Sequence, residues 1–284
     1  MTAAGIGVDV GGTKIAAALV ADDEIVARTV VPTRLSRPGR AVLADAVGVA
    51  EEMAAVAAGR GLAVAGVGVG VPEIVTPDGR IASDAVIEWS TEPVAETFGR
   101  VGPVTVTADV RAAALAEGRL GAGRWFTAFV YVTVGTGISH TLVLEGVPYT
   151  GARGAALLFG SGRLGGVVLE EVASGPAIAA AAGASTAEPV LAAAEAGDSD
   201  AVAIVDRAAS ALGEGIATLV NLLDPEAVVV GGGLGTAGGR YWEAVVAAAR
   251  DKVWLPAARD LPIVTAGLGP DAGAVGAALS VLRG

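Results

Sequence analysis

The chain has 284 residues, with 19 Lys and Arg against 30 Asp and Glu for a net charge of −11, and it is 53% hydrophobic but only 4% aromatic. A balance this acidic repels phosphate backbones and anionic headgroups, so neither nucleic acid nor a membrane surface is expected as a partner. Zero Cys and a single His exclude disulfides, thiolate zinc sites, Cys nucleophiles and a multi-His metal site within one chain.

In chain order, residues 5–10 (GIGVDV), 14–20 (KIAAALV) and 24–31 (EIVARTVV) are short apolar runs. Gly-Gly-Thr and Asp22-Asp23 punctuate them, which predicts a three-stranded meander. The Ala-rich stretch 40–59 predicts a helix, 64–72 a buried strand stopped by Pro72, and 103–109 a further strand with a helix opening at Asp109. Residues 126–134 and 138–146 read again as strand, Gly turn, strand. They form much of the longest uncharged stretch, Trp125 to Leu144, which alternates around Gly and Thr instead of reading as a membrane span. Helices are predicted over 168–183, 188–196 and 201–223, a strand over 227–232, a helix over 240–255, a strand over 262–267 and a helix over 271–282. The repeated hairpin, at 5–20 and 127–144, predicts two α/β lobes of similar plan with a cleft between them. The division is set at residues 1–115, joined by the C-terminal helix 271–284, and 116–270. No basic leader precedes the first strand, so a soluble cytoplasmic protein is expected.

Four segments carry candidate chemistry. In Asp9-Val-Gly-Gly-Thr-Lys14 a carboxylate ends a strand and Gly11 and Gly12 open the backbone to an anion. Thr13 and Lys14 add a hydroxyl and a cation, and Asp9 is suited to a hydrated Mg²⁺. The alternative is a plain hairpin turn. Gly135-Thr136-Gly137 offers the same small residues at the equivalent place of the second hairpin. Two such turns together would grip a polyphosphate. Gly231-Gly232-Gly233 follows a strand and suits a shelf for an adenosine; the GxGxxG match at Gly233–Gly238 lacks the βα units a dinucleotide fold needs. Asp109, after one strand and before a helix, is either an N-cap or a general base. His140, beside Ser139, lacks a nucleophile elbow and reads as structural.

These motifs, in this order, resemble the ROK family (repressors, open reading frames and sugar kinases). GVDVGGTKIAAALV looks like its first phosphate motif, VTVGTGI its second, NLLDPEAVVVGGGL its adenosine-side motif, and LEEVASGPAI at 169–178 its ASGPAI-type helix. The resemblance implies an α/β protein with two RNase-H-like lobes of the actin-like/hexokinase ATPase fold, Mg²⁺ and ATP as cofactors, a homodimer, and Asp109 as the catalytic base. The departures are specific. Ala108 stands where family sugar kinases have a sugar-binding Asn, Leu158 where they have a Glu, and Ser161 where they have a zinc- and sugar-binding His. GRLGGVVLEE lacks the zinc-binding Cys residues, aliphatic packing from Leu157, Leu158, Val167 and Val168 being expected to offset their loss, and Val71-Pro72-Glu73 replaces Val-Pro-Gly. Glu73, Asp84, Glu88 and His140 are candidates for an altered set of substrate contacts. The expected activity is phosphoryl transfer to a hydroxyl of a sugar-like or cyclitol molecule other than glucose; the alternative is a catalytically inactive sensor or scaffold on the same fold.

Overall fold

A computed structural model describes residues 2–164 and 166–282. The elements in chain order are β1 (Ala3–Val10), β2 (Lys14–Ala21), β3 (Glu24–Pro32), α1 (Gly39–Gly59), β4 (Ala63–Val71), α2 (Val94–Phe98), β5 (Val104–Ala108), α3 (Asp109–Arg119), β6 (Ala128–Val134) and β7 (Ile138–Leu144). They continue as β8 (Val147–Pro148), β9 (Arg163–Leu164), β10 (Val167–Val168), α4 (Glu170–Ala173), α5 (Gly175–Ala181), α6 (Glu188–Glu195), α7 (Ser199–Leu223), β11 (Ala227–Gly231), α8 (Gly239–Lys252), β12 (Ile263–Thr265) and α9 (Ala272–Ser280).

Two compact units result, one of Met1–Arg124, Gly146–Ala156 and Pro270–Gly284, the other of Trp125–Glu145 and Leu157–Gly269. The first therefore reaches beyond residue 115 and takes back a short internal segment that composition did not mark. The last two residues of the expected helix 271–284, and Gly165 of the Cys-free segment, lie outside the described residues.

In the first unit the sheet order is β3-β2-β1-β4-β5, antiparallel across β1, β2 and β3 and parallel across β1, β4 and β5. The Asp22-Asp23 turn has both residues at positive φ, which short polar side chains tolerate. Strand β1 contacts α1 and α9, and Ile6, Val8, Leu19, Val47, Met53 and Phe98 share one buried cluster. Helix α9 lies directly on strand backbone: a Cβ at Gly5, Gly7 or Gly68 would collide with the main chain of Ala278, Ala274 or Ala277. Backbone this close needs residues without side chains, which explains the alternation of Gly with Val and Ile in β1 and β4.

The second unit repeats the plan, with β7 antiparallel to β6, and β11 and β12 parallel, in the order β12-β11-β6-β7. Its core gathers Val130, Val132, Ile178, Leu212, Ile216 and Val245. Helix α7 starts where the sequence pattern places it, because Asp198 accepts from the N–H groups of Asp200 and Ala201. The expected helix 168–183 is instead broken at Ser174. Its hydroxyl donates to Glu170 O and accepts from Ala177 N–H, so a new helix begins at Gly175-Pro176. The expected helix 240–255 ends at Lys252, where Val253 turns extended shortly before Pro256. The aliphatic replacements in the Cys-free segment also behave differently from expectation. Leu158 and Val167 are exposed, and Phe159 and Leu169 do the packing, against Gly215 of α7.

Candidate active site

In the first unit the sheet brings two carboxylates to the same end of β1 and β5, the strands on either side of β4. Asp9 pairs across the parallel ladder with Gly70, and β4 pairs in turn with β5, whose last residue precedes Asp109. Gly70 is the spacer. A Cβ there would lie 3.4 Å from Asp9 Oδ1 and 3.6 Å from the Asp109 Cα. On the other side of Asp9 is Gly273 of α9, where a Cβ would lie 2.5 Å from the Asp9 Cγ. Burial pushes the Asp9 carboxyl up to about 6, with Lys14 pulling the other way. Burial also pushes Asp109 up to about 7. The charge of Asp9 adds to that and Glu73 adds less, while the Val110 N–H and the Arg111 guanidinium oppose it.

Asp109 is not an N-cap. It is the first residue of α3, Ala108 holds the cap position without a side-chain bond, and Asp109 Oδ1 accepts from the adjacent Val110 N–H at 2.6 Å. Arg111, in the first turn of the same helix, is buried and donates to three carbonyls: Val75 at 3.1 Å, Thr150 at 3.3 Å and Gly154 at 2.5 Å. It thereby ties the 146–156 segment and the chain after β4 to the helix that carries Asp109.

The two glycine turns need a correction of detail. The Gly11 N–H closes its own hairpin onto Lys14 O at 2.9 Å, and the Gly135 N–H closes onto Gly137 O at 2.9 Å. Neither first glycine therefore has its amide directed at a ligand. The exposed members are Thr13 and Lys14 in one turn, beside a half-buried Gly12, and Thr136 and Gly137 in the other. The glycine triplet is likewise divided by role. Gly231 is the buried last residue of β11, with the Tyr131 phenol occupying its side-chain space. Gly232 takes φ +82° because a Cβ would strike the Val134 backbone. Only Gly233 is open on its Cβ side. With Gly135, Thr136, Pro176, Ala180 and Leu191, Gly233 lines a cavity of about 580 Å³ within the second unit, a size suited to a nucleoside.

Glu170 was legible only as part of a family-like segment, and the structure shows what it does. Its Oε1 accepts from Ile138 N–H at 2.7 Å, its Oε2 accepts from the Ser161 hydroxyl at 3.2 Å, and its own N–H donates to Gly160 O at 3.1 Å. It pins the end of the 135–137 turn to the start of α4.

The candidate substrate contacts separate. Glu73 is buried, and its oxygens accept from the Ser83 hydroxyl and from the N–H groups of Ala85, Val86 and Ile87. Every acceptor direction is used internally, which corrects its reading as a contact residue. Asp84 is exposed and bonded to Ser90, whose hydroxyl and N–H hold its carboxyl below the usual range. Glu88 is exposed. His140 belongs to the second unit, opposite Val132, and stacks edge-on to Phe159 at 5.6 Å. Burial lowers its pKa and its Nδ1 has no partner, so its environment favours neutral imidazole.

A family model for ROK, the ROK family, matches residues 5–283. The chain belongs to the ROK family. A bifunctional enzyme NanE/NanK of Brucella suis biovar 1 is 36% identical over 289 residues, covering 95% of this chain, and the chain spans 51% of that relative's length. Among solved structures, a ROK hexokinase from Thermus thermophilus superposes with a TM-score of 0.84 at 31% identity, covering 98% of this chain and 97% of the other. A ROK family glucokinase from Streptomyces griseus, crystallised with glucose and AMPPNP, superposes at 0.81 with 28% identity, covering 99% and 100%. The ROK chain described here thus has the α/β architecture of the actin-like/hexokinase ATPases. Among its described residues no group of three or more His, Cys, Asp or Glu gathers as a metal site, and no helix is long and apolar enough to cross a membrane.

Proposed function

We propose that this ROK chain transfers the γ-phosphate of ATP to a hydroxyl of a sugar-like or cyclitol acceptor other than glucose. The observation that carries this is the placement of Asp109 at a strand end, one glycine away from Asp9, with its acidity moved to about 7. A carboxylate with that basicity accepts a proton efficiently near neutral pH. Asp109 takes the proton of the acceptor hydroxyl as its oxygen bonds to the γ-phosphorus, and ADP leaves with the bridging oxygen. Little else is asked of the protein beyond position and charge.

Asp9 suits Mg²⁺, held through water. It is a hard oxygen donor raised in pKa by burial, a state that a cation relieves, and Mg²⁺ keeps most of its ligands as water. When bound, the ion neutralises charge on the phosphates. In the first unit Gly12, Thr13 and Lys14 would serve as phosphate contacts; in the second, Thr136 and Gly137 would do so and the cavity at Gly233 would take the adenosine. A non-glucose acceptor follows from Ala108 and Leu158, which cannot bond ring hydroxyls. Each unpaired hydroxyl costs roughly 1–3 kcal/mol. The same reading has the protein acting as a homodimer in the cytoplasm.

The test is ADP release with Mg-ATP and a panel of glucose, N-acetylmannosamine and myo-inositol. Asp109→Asn should retain ATP binding and lose about 10²–10⁴-fold in turnover. Unchanged turnover in that variant removes Asp109 from the mechanism. ATP binding with no transfer to any acceptor supports the inactive sensor instead.

A further inference from the structure

The segment after β4 contains an unusual investment for a surface loop. Glu73, two residues past the strand, is only 3% exposed. It faces four donors from one short stretch: the Ser83 hydroxyl, then Ala85 N–H at 2.8 Å, Val86 N–H at 2.6 Å and Ile87 N–H at 2.8 Å. Three consecutive backbone amides converging on one carboxylate fix the direction of the loop as well as its position. Ser83 extends the network, its hydroxyl also accepting from Ile74 N–H at 2.9 Å, and Ala82 N–H donates to Ile74 O at 2.8 Å. Arg111 then holds Val75 O from the helix of Asp109.

The loop so fixed borders the phosphate turn. Val86 Cγ1 lies 3.3 Å from the place of a Cβ on Gly12, and Ala85, Val86 and Glu88 show their outer faces to solvent. The loop leaves the same sheet edge that carries Asp9 and Asp109, because Val71 pairs with Ala108. An acceptor whose hydroxyl reaches Asp109 must lie along this edge.

We propose that Glu73 is a positioning residue that shapes residues 83–87 into the wall of the acceptor site. The proposal rests on the kinase reading above and deepens it. Glu73 touches no substrate; it acts through Ala85 and Val86, so acceptor recognition depends on a buried carboxylate beneath the wall.

The experiment compares the full chain with Glu73→Gln, which keeps the shape but turns two of the four acceptor directions into donors, and with Ser83→Ala, a milder change. Initial rates are measured with whichever of glucose, N-acetylmannosamine and myo-inositol the unaltered protein phosphorylates, alongside hydrogen exchange of the Ala85, Val86 and Ile87 amides. Glu73→Gln should raise the acceptor KM about tenfold or more and the Mg-ATP KM by much less, since the wall lines the acceptor and meets the phosphate turn only through Val86. The three amides should exchange faster. Ser83→Ala should move both readouts in the same direction by less, and it carries the test if Glu73→Gln does not fold. Faster amide exchange with an unchanged acceptor KM would overturn the wall assignment, and unchanged exchange would overturn the role of Glu73 in the loop. Failure of the kinase reading shows separately, as no turnover of any acceptor by the unaltered protein; acceptor affinity of the AMPPNP-loaded protein and its Glu73→Gln variant then replaces KM in deciding the wall.

Discussion

Gly273→Ala should disable the protein through a single methyl group. The new Cβ would stand 2.5 Å from Asp9 Cγ and 3.0 Å from Asp9 Oδ1. Non-bonded carbons settle near 3.5–4.0 Å, so the carboxyl must retreat by about 1 Å. It has somewhere to go, because the Gly70 side is spaced at 3.4 Å from Oδ1 to the position of a Cβ. A misplacement of about 1 Å in a charged positioning group costs on the order of 10²-fold in rate, or about 2.7 kcal/mol of activation free energy. Stability should change less. Overpacking costs about 1–3 kcal/mol, and replacing Gly by Ala inside α9 returns up to about 1 kcal/mol of helix propensity. The assay is turnover by ADP release together with the Mg²⁺ concentration at half-maximal rate, which should rise. Because the effect is routed through Asp9, Gly273→Ala in an Asp9→Asn background should add almost nothing. A folded Gly273→Ala protein with unaltered turnover, or full additivity with Asp9→Asn, would refute the reasoning.

The acidity of the pair gives a stability signature as well. Asp9 rises from the usual 3.8 to about 6, so the folded state binds its proton more tightly than the unfolded chain does. That contribution is present below the unfolded value and is lost as pH rises through about 6; Asp109 acts in the same sense up to about 7. Without metal or nucleotide, Asp9→Asn should therefore melt higher than the unaltered protein at pH 8, with the difference disappearing near pH 4. A variant that melts lower at pH 8 would contradict the burial argument. In the second unit, Gly135→Val should weaken Mg-ATP binding by about tenfold in calorimetric titration with little loss of melting temperature. A Cβ there meets nothing closer than Gly233 N at 3.9 Å, so the added methyls crowd the cavity and not the fold. Undiminished ATP affinity in that variant would mean that the cavity is not the nucleotide site.

Much of the architecture could be read from residue order because local chemistry decides it. The Asp22-Asp23 turn and the Pro72 stop each act within a few residues of themselves. Reading failed where a bond spans distance or a competing local signal intervenes. The helix break at Ser174 follows from its hydroxyl capping a Gly-Pro start, a signal overridden by the apolar periodicity around it. The two glycine turns do join the strands between which the sequence puts them, but the closure of each hairpin by its own first glycine is a matter of geometry that composition does not reveal. Glu73 was the hardest case. Three of its four donors are backbone amides, which carry no residue identity, so only its departure from Val-Pro-Gly hinted that something depended on it. Glu170 shares the difficulty, since one of its bonds comes from the main chain of Ile138, 32 residues earlier.

The contact between Asp9 and Gly273 also constrains when the surroundings of this carboxylate are complete. Asp9 lies on β1 and Gly273 far along the chain on α9, which docks on β1 and β4 through glycine backbone. A chain still emerging from the ribosome has its Asp-Val-Gly-Gly-Thr-Lys hairpin early. Until α9 docks, Asp9 lacks the close approach of Gly273 on that side. Formation of the hairpin and completion of the packing around its carboxylate are thus separate events, and the second waits for α9.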